Sequence, residues 1–256
     1  MRKIIRKGSK KGTLVCIHGN SSSSDVFESL LNSNNINHTV VAVNLPGHKN
    51  NLDDFKHHTD FSMSFFKESL IEEINTIKDE IILVGNSMGA HLAIEIANDI
   101  NHLKGLIIFG APPVKKPINF EEAFLPVEAL QTYFTANPPE EAIDAAANIA
   151  VENKEKAALV ANYFKSTNPL VRKHIAEDIF SGNLDNQYKI YTNLLVPKFI
   201  IAGDKDASVN FEYLKKVNDN SKNSELIIFE NCGHYPSLEK PTEFLETMIL
   251  ILSKIF

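Results

Sequence analysis

Three segments of this sequence carry residues that could act together as a nucleophile, its base and an orienting acid. The first is Gly85-Asn86-Ser87-Met88-Gly89, preceded by the apolar run Ile81 to Val84 and followed by Ala90, Ala93 and Ala97 at helical spacing. A strand turning sharply into a helix would project the Ser87 hydroxyl out of the sheet, and glycines two residues to either side would let the two backbones approach. A serine hydroxyl is a weak nucleophile near neutral pH and needs a base. His234, in Cys232-Gly233-His234-Tyr235 just after the last apolar run, is the candidate. The acid that orients its imidazole should leave the preceding strand end, where Gly203-Asp204-Lys205-Asp206 offers two carboxylates. Asp206 is the better placed of the two and gives the chain order Ser87, Asp206, His234, which leaves Asp204 to turn chemistry.

Such a set attacks a carbonyl carbon, so amide donors are needed where negative charge develops on the carbonyl oxygen. Met88, at the start of the helix after the nucleophile, can supply one backbone N–H. Asn20, in His18-Gly19-Asn20 after the first core strand, can supply the other. His18 itself reads as structural. The phosphate-binding pattern GxxxxGK[ST] is absent, which removes nucleotide hydrolysis of that kind.

Short β-branched runs alternate with amphipathic stretches, the pattern of a doubly wound, mostly parallel α/β sheet covered on both faces. Strands are expected at Thr13 to Ile17, Thr39 to Val43, Ile81 to Val84, Leu106 to Phe109, Lys198 to Ala202 and Glu225 to Phe229, with an edge strand at Lys3 to Arg6. Helices are expected at Met63 to Ile77, Met88 to Asp99, Phe211 to Val217 and Pro241 to Lys254. The alternation breaks between Pro112 and Ile190, where consecutive helices read as a cap. Asn137-Pro138 and Asn168-Pro169 each suggest an N-cap followed by proline at the first helical position. Ile143, Ala147 and Ala150 form an apolar stripe on one of these helices. The expected division is a core of residues 1–111 and 191–256 with a helical cap at 112–190.

The 256 residues are 43% hydrophobic and 23% charged, which permits a large buried core. A net charge of −6 lacks the basic excess that nucleic acid demands, so no nucleic-acid partner is expected. The basic start MRKIIRKGSKKG has no apolar run behind it, and no run reaches the roughly 20 residues of a membrane span. Two cysteines without CxxC spacing suit a reducing compartment, so a cytoplasmic location is expected. His57-His58 reads as a solvated loop rather than a metal site, and no metal or cofactor is expected. His91, one helical turn beyond Ser87, reads as a helix-surface residue, with an approach to the site as its alternative. Arg172, the only arginine after residue 6, reads as a solvated helix residue, with a carboxylate-binding role as its alternative.

Taken together, His18-Gly19-Asn20, Leu45-Pro46-Gly47-His48, Gly85 to Gly89, Gly203 to Asp206 and Gly233-His234 resemble the α/β-hydrolase family over essentially the whole chain. The resemblance implies the fold, a catalytic triad of Ser87, Asp206 and His234, with the acid three residues after Gly203, and oxyanion amides at Asn20 and Met88. It also implies a cap inserted after the sixth strand of the family. The N-terminus has room for at most one strand before Thr13 where the family usually has two, so a seven-stranded sheet is expected. The implied activity is hydrolysis of an ester-like bond in a small molecule through an acyl-enzyme. Carbon–carbon bond hydrolysis, other triad chemistry and a ligand-sensing role with vestigial turnover stay open, as does the oligomeric state. Gly85-Asn86-Ser87-Met88-Gly89 also resembles the elbow of hydrolases that split carbon–carbon bonds in ring-cleavage products, but the chain departs from that narrower pattern in having no tryptophan near His234 or anywhere else.

Overall fold

The computed structural model describes residues 1–49 and 51–256. Its strands are β1 (Arg2–Arg6), β2 (Thr13–Ile17), β3 (Thr39–Asn44), β4 (Ile81–Asn86), β5 (Leu103–Phe109), β6 (Lys198–Gly203) and β7 (Ser224–Phe229). Among the described residues they form one sheet in the order β1-β3-β2-β4-β5-β6-β7. Only β1 runs antiparallel, pairing with β3; the other neighbours are parallel. The expected doubly wound α/β sheet of seven strands is therefore present.

Strand alternation divides the core into two layers. Val15 and Ile17 of β2 face one buried cluster, whereas Leu14 and Cys16 face the other. The α-helices are α1 (Glu28–Leu31), α2 (Met63–Ile74), α3 (Met88–Ile96), α4 (Phe120–Ala123), α5 (Glu140–Ala150), α6 (Ala157–Lys165), α7 (Pro169–Phe180), α8 (Gln187–Asn193), α9 (Phe211–Asp219), α10 (Pro236–Glu239) and α11 (Pro241–Ile255). Residues of α2, α3 and α9 join the first cluster, and those of α1 and α11 the second, which covers both faces of the sheet.

Several expected boundaries shift for local reasons. Helix α2 stops at Ile74 rather than Ile77, because the amides of Asn75, Thr76 and Ile77 close successive terminal turns onto Ile71, Glu73 and Ile74. Strand β7 is half exposed rather than doubly buried, with Ile228 open to solvent, because it closes the sheet edge.

The insert between β5 and β6 holds α4 to α8, as the helical run of sequence suggested. Asn168 caps α7 as expected, its side chain accepting from the Leu170 amide ahead of Pro169. Asn137-Pro138 does not start a helix; α5 begins at Glu140, with Pro139 as its N-cap. The reason is the second proline, since a residue before proline is pushed out of the helical region and Pro138 is itself followed by Pro139. The alanine stripe behaves as expected: Ala147 and Ala150 are buried in the second core layer, with Ile143 packed against it.

Among the described residues no helix is long and apolar enough to cross a membrane.

Candidate active site

Strand β4 delivers Ser87 to the carboxyl edge of the sheet, and the turn that holds it depends on both glycines. A Cβ on Gly85 would lie 2.4 Å from the Gly89 carbonyl oxygen, and one on Gly89 would lie 2.1 Å from that of Ile17. Ser87 itself sits at φ 54° and ψ −122°, a conformation that costs a non-glycine residue of order 1–3 kcal/mol and persists only where its surroundings enforce it. They do so by accepting the Ser87 amide at the Phe109 carbonyl (2.8 Å) and starting α3 from the Ser87 carbonyl, which accepts from Ala90 at 2.8 Å.

Ser87, Asp206 and His234 all line a single cavity of about 880 Å³. His234 Nδ1 lies 2.9 Å from Asp206 Oδ2, and the carboxylate is largely shielded, its side chain 9% exposed. The other oxygen of Asp206 accepts from the amide (2.9 Å) and hydroxyl (2.6 Å) of Ser208, whose Oγ is also 3.0 Å from His234 Nδ1. Having given its proton to Asp206, that hydroxyl turns a lone pair toward the imidazole N–H. Burial works against the charged imidazolium, but the Asp206 charge and hydrogen bond and the Glu239 charge outweigh it, so the His234 pKa lies above its ordinary value. Burial raises the carboxyl of Asp206, yet His234 and Ser208 bring it below the usual carboxylate range. Asp204 does not close a local turn as expected: its Oδ1 accepts from the Cys232 amide at 3.3 Å in the loop that carries His234, and it is Asp206 that accepts from an amide two residues on.

Asn20 and Met88 also line the cavity. Met88 opens α3, where the first amides have no acceptor within the helix. The Asn20 loop is pressed against the Ser87 turn, since a Cβ on Gly19 would fall 2.9 Å from that of Ser87. His18 braces this loop as expected: Nε2 accepts from the Leu45 amide at 3.0 Å, so Nδ1 donates to the Gly19 carbonyl at 2.9 Å. Burial lowers its pKa to about 4 and keeps it neutral.

Two expectations fail here. His91 is not a surface residue: it lines the cavity, because a residue four positions after Ser87 lies on the same face of α3 and that face looks into the insert. Arg172 is neither solvated nor in the cavity lining. It is buried, its guanidinium donating to the carbonyls of Thr135 (3.0 Å) and Ala136 (2.7 Å) and to Ser21 Oγ (3.3 Å), and it stacks on Phe164 at 4.1 Å. Its fork thus ties the insert to the Asn20 loop, where Asn20 Nδ2 also donates to the Tyr133 carbonyl at 2.7 Å.

The sequence reading missed Glu239, a buried carboxylate beneath the histidine loop. Oε2 accepts from Glu152 (2.7 Å), Asn153 (3.0 Å) and Gly233 (3.2 Å), and Oε1 from Tyr235 at 3.1 Å. The His234 amide meanwhile donates to the Ala150 carbonyl at 2.9 Å. Nothing in the spacing announces Glu239, because its partners are backbone amides. Ser208 was within reach, since a serine two residues after an aspartate often closes a local turn.

The sequence profile of the Alpha/beta hydrolase family matches residues 14–247. The chain belongs to that family.

Solved structures of α/β hydrolases share its architecture throughout. A mutant of the N-acyl homoserine lactonase AidH complexed with N-hexanoyl homoserine lactone superposes with a TM-score of 0.86 at 23% identity, covering 98% of this chain and 92% of the other. The esterase EaEST from Exiguobacterium antarcticum gives 0.77 at 16% identity, over 98% of this chain and 94% of the other. The meta-cleavage product hydrolase CumD from Pseudomonas fluorescens IP01 gives 0.75 at 16% identity with the same two coverages. At these identities the likeness is one of fold. No curated protein sequence matches the chain.

Proposed function

We propose that this α/β hydrolase cleaves a carboxylic ester or lactone of a small, uncharged, largely apolar molecule through Ser87, His234 and Asp206. The observation that carries the reading is the Asp206–His234 hydrogen bond in the cavity that Ser87 shares. In this mechanism Ser87 Oγ attacks the carbonyl carbon while His234 Nε2 takes the hydroxyl proton, and Asp206 holds the ring with Nδ1 protonated. The amides of Asn20 and Met88 stabilise the oxyanion. His234 returns its proton to the leaving alcohol, and a water that it activates then hydrolyses the acyl-enzyme.

The cavity walls support the choice of substrate. They are mostly apolar, with Phe124, Leu125, Leu130, Ile175 and Ile179 among them. Their charged side chains are Glu121, Glu128 and Asp206, with no lysine or arginine among the described lining residues. A carboxylate-bearing substrate would find no counter-charge there. The solved lactonase complexes hold N-acyl homoserine compounds, which makes acyl lactones sensible probes alongside simple esters.

The insert at 112–190 is read as a cap that sets acyl length over a core of 1–111 and 191–256. A series of p-nitrophenyl esters of increasing chain length tests activity and cavity depth together. Ser87→Ala should lose at least a thousandfold in kcat with unchanged circular dichroism. Turnover retained above that level would refute the serine mechanism.

A further inference from the structure

His91 is part of a hydrogen-bonded chain that the triad reaction does not use. Its Nδ1 lies 2.7 Å from Gln187 Oε1. Gln187, fully buried, reaches on through Nε2 to Glu95 Oε1 at 2.7 Å. Glu95 is buried in turn, with Lys67 2.9 Å from its Oε2 and the Asp185 amide 3.1 Å from its Oε1.

The chemistry of this chain fixes every donor. Glu95 Oε1 already accepts from a backbone amide, so Gln187 must present its NH₂ there and its carbonyl oxygen on the other side. The Val114 amide, which donates to that same oxygen at 3.3 Å, requires the same orientation. An oxygen facing His91 can only accept, so Nδ1 must carry the proton. Burial lowers the His91 pKa, and the nearby His234 charge lowers it further, against the Gln187 hydrogen bond, so the ring is neutral near pH 7. A neutral imidazole protonated at Nδ1 has a bare lone pair at Nε2. His91 lines the cavity, and with Nδ1 held by Gln187 the ring nitrogen left to meet a guest is Nε2.

We propose that His91 is a specificity-determining residue whose Nε2 accepts a hydrogen bond from an amide N–H or hydroxyl of the substrate, a few bonds from the scissile carbonyl. Gln187, Glu95 and Lys67 are its positioning residues. The inference deepens the hydrolase reading and rests on it. An apolar cavity that offers a fixed acceptor favours a guest with a matching donor, because a guest without one leaves the lone pair desolvated and unpaired.

The test uses p-nitrophenyl esters of an N-acyl-β-alanine and of its N-methyl analogue, which differ by one donor. The wild-type chain should prefer the N–H substrate by about five- to tenfold in kcat/KM, the worth of one net hydrogen bond of ~1 kcal/mol. His91→Phe should bring the ratio to about one, and His91→Gln, which keeps an acceptor, should restore part of it. Gln187→Leu should also lower the ratio, since nothing then fixes the tautomer. Nitrogen NMR of isotope-labelled histidine should find His91 protonated at Nδ1 in the wild type, a signature that packing alone would not impose. A ratio near one in the wild type, or His91 protonated at Nε2, overturns the proposal even where esters are hydrolysed. Should no ester be turned over, the hydrolase reading fails by itself. Calorimetric binding of the two amides to Ser87→Ala then still decides the role of His91, equal affinities refuting it.

Discussion

The insert between β5 and β6 has two halves that do opposite things. The half from Glu140 to Lys165, α5 and α6, lies against the core: Ala147, Ala150, Ala157 and Ala161 are buried with the second core layer, and its end is tied to the histidine loop by Glu239 and by the Ala150 carbonyl. Only Ala150 of this half lines the cavity. The other half, residues 118–135 with α7, supplies most of the apolar wall and leaves Phe120, Phe134 and Phe180 exposed at 38%, 37% and 68%. A cap can therefore be fastened to the core on one side and stand open over a cavity on the other. Helicity alone does not tell the two halves apart.

If the anchored side serves the reacting atoms, the largest loss should come from the acid behind His234. Asp206→Asn should lower kcat by up to about 10⁴ with little change in KM, because the amide can neither hold the required tautomer nor stabilise the imidazolium. Asp204→Asn should cost far less. A larger loss at Asp204, measured with the same ester, would reverse the assignment.

Next in size is Glu239→Gln, which turns an NH₂ toward backbone amides now paired with a carboxylate. Chemical denaturation should register a loss of about 2–3 kcal/mol, the penalty for a buried donor left facing another donor. The variant also tests electrostatics. His234 must be neutral to accept the Ser87 proton, so kcat/KM rises as pH climbs through its pKa, and that pKa is raised by the Asp206 and Glu239 charges. Removing the Glu239 charge should lower it and move the acid limb toward lower pH. A limb that stays in place would show that Glu239 acts on the backbone only.

Arg172→Met probes the seam between the halves. It strips the carbonyls of Thr135 and Ala136 of a buried donor and should cost about 2 kcal/mol of stability. Because Arg172 is absent from the cavity lining, neutral and acidic esters should respond alike. Selective loss on acidic esters would instead give Arg172 a substrate to hold.

The smallest effect on overall rate, and the clearest on selectivity, belongs to the open wall. Leu130→Ala should shift the preferred acyl chain toward longer esters, changing kcat/KM for any one of them by less than about tenfold, as removal of a few methylenes allows. An unchanged profile would detach this wall from specificity.

These contrasts also mark what could be read from sequence. Ser87, Gly85 and Gly89 were legible because close backbone packing leaves glycine as the sole solution there, and the strands were legible as apolar runs of the right length. The roles of Glu239 and Gln187 were not, since both work through long-range contacts that leave no periodic trace. Arg172 misled because charge usually marks solvent, whereas here all three guanidinium nitrogens found carbonyls or a hydroxyl inside the protein. The alanine stripe of α5 correctly announced burial, but burial against the core and not around a ligand.

The charge of the cavity lining has a consequence for the end of the catalytic cycle. Under the proposed reaction a neutral guest becomes a carboxylate, and the charged side chains around it are Glu121, Glu128 and Asp206. The anion leaves a chamber that has no lysine or arginine among its described lining residues and enters solvent around a chain of net charge −6. Like charge makes the acid a poor competitor for the site it was made in, so turnover should continue with little product inhibition as the acid accumulates.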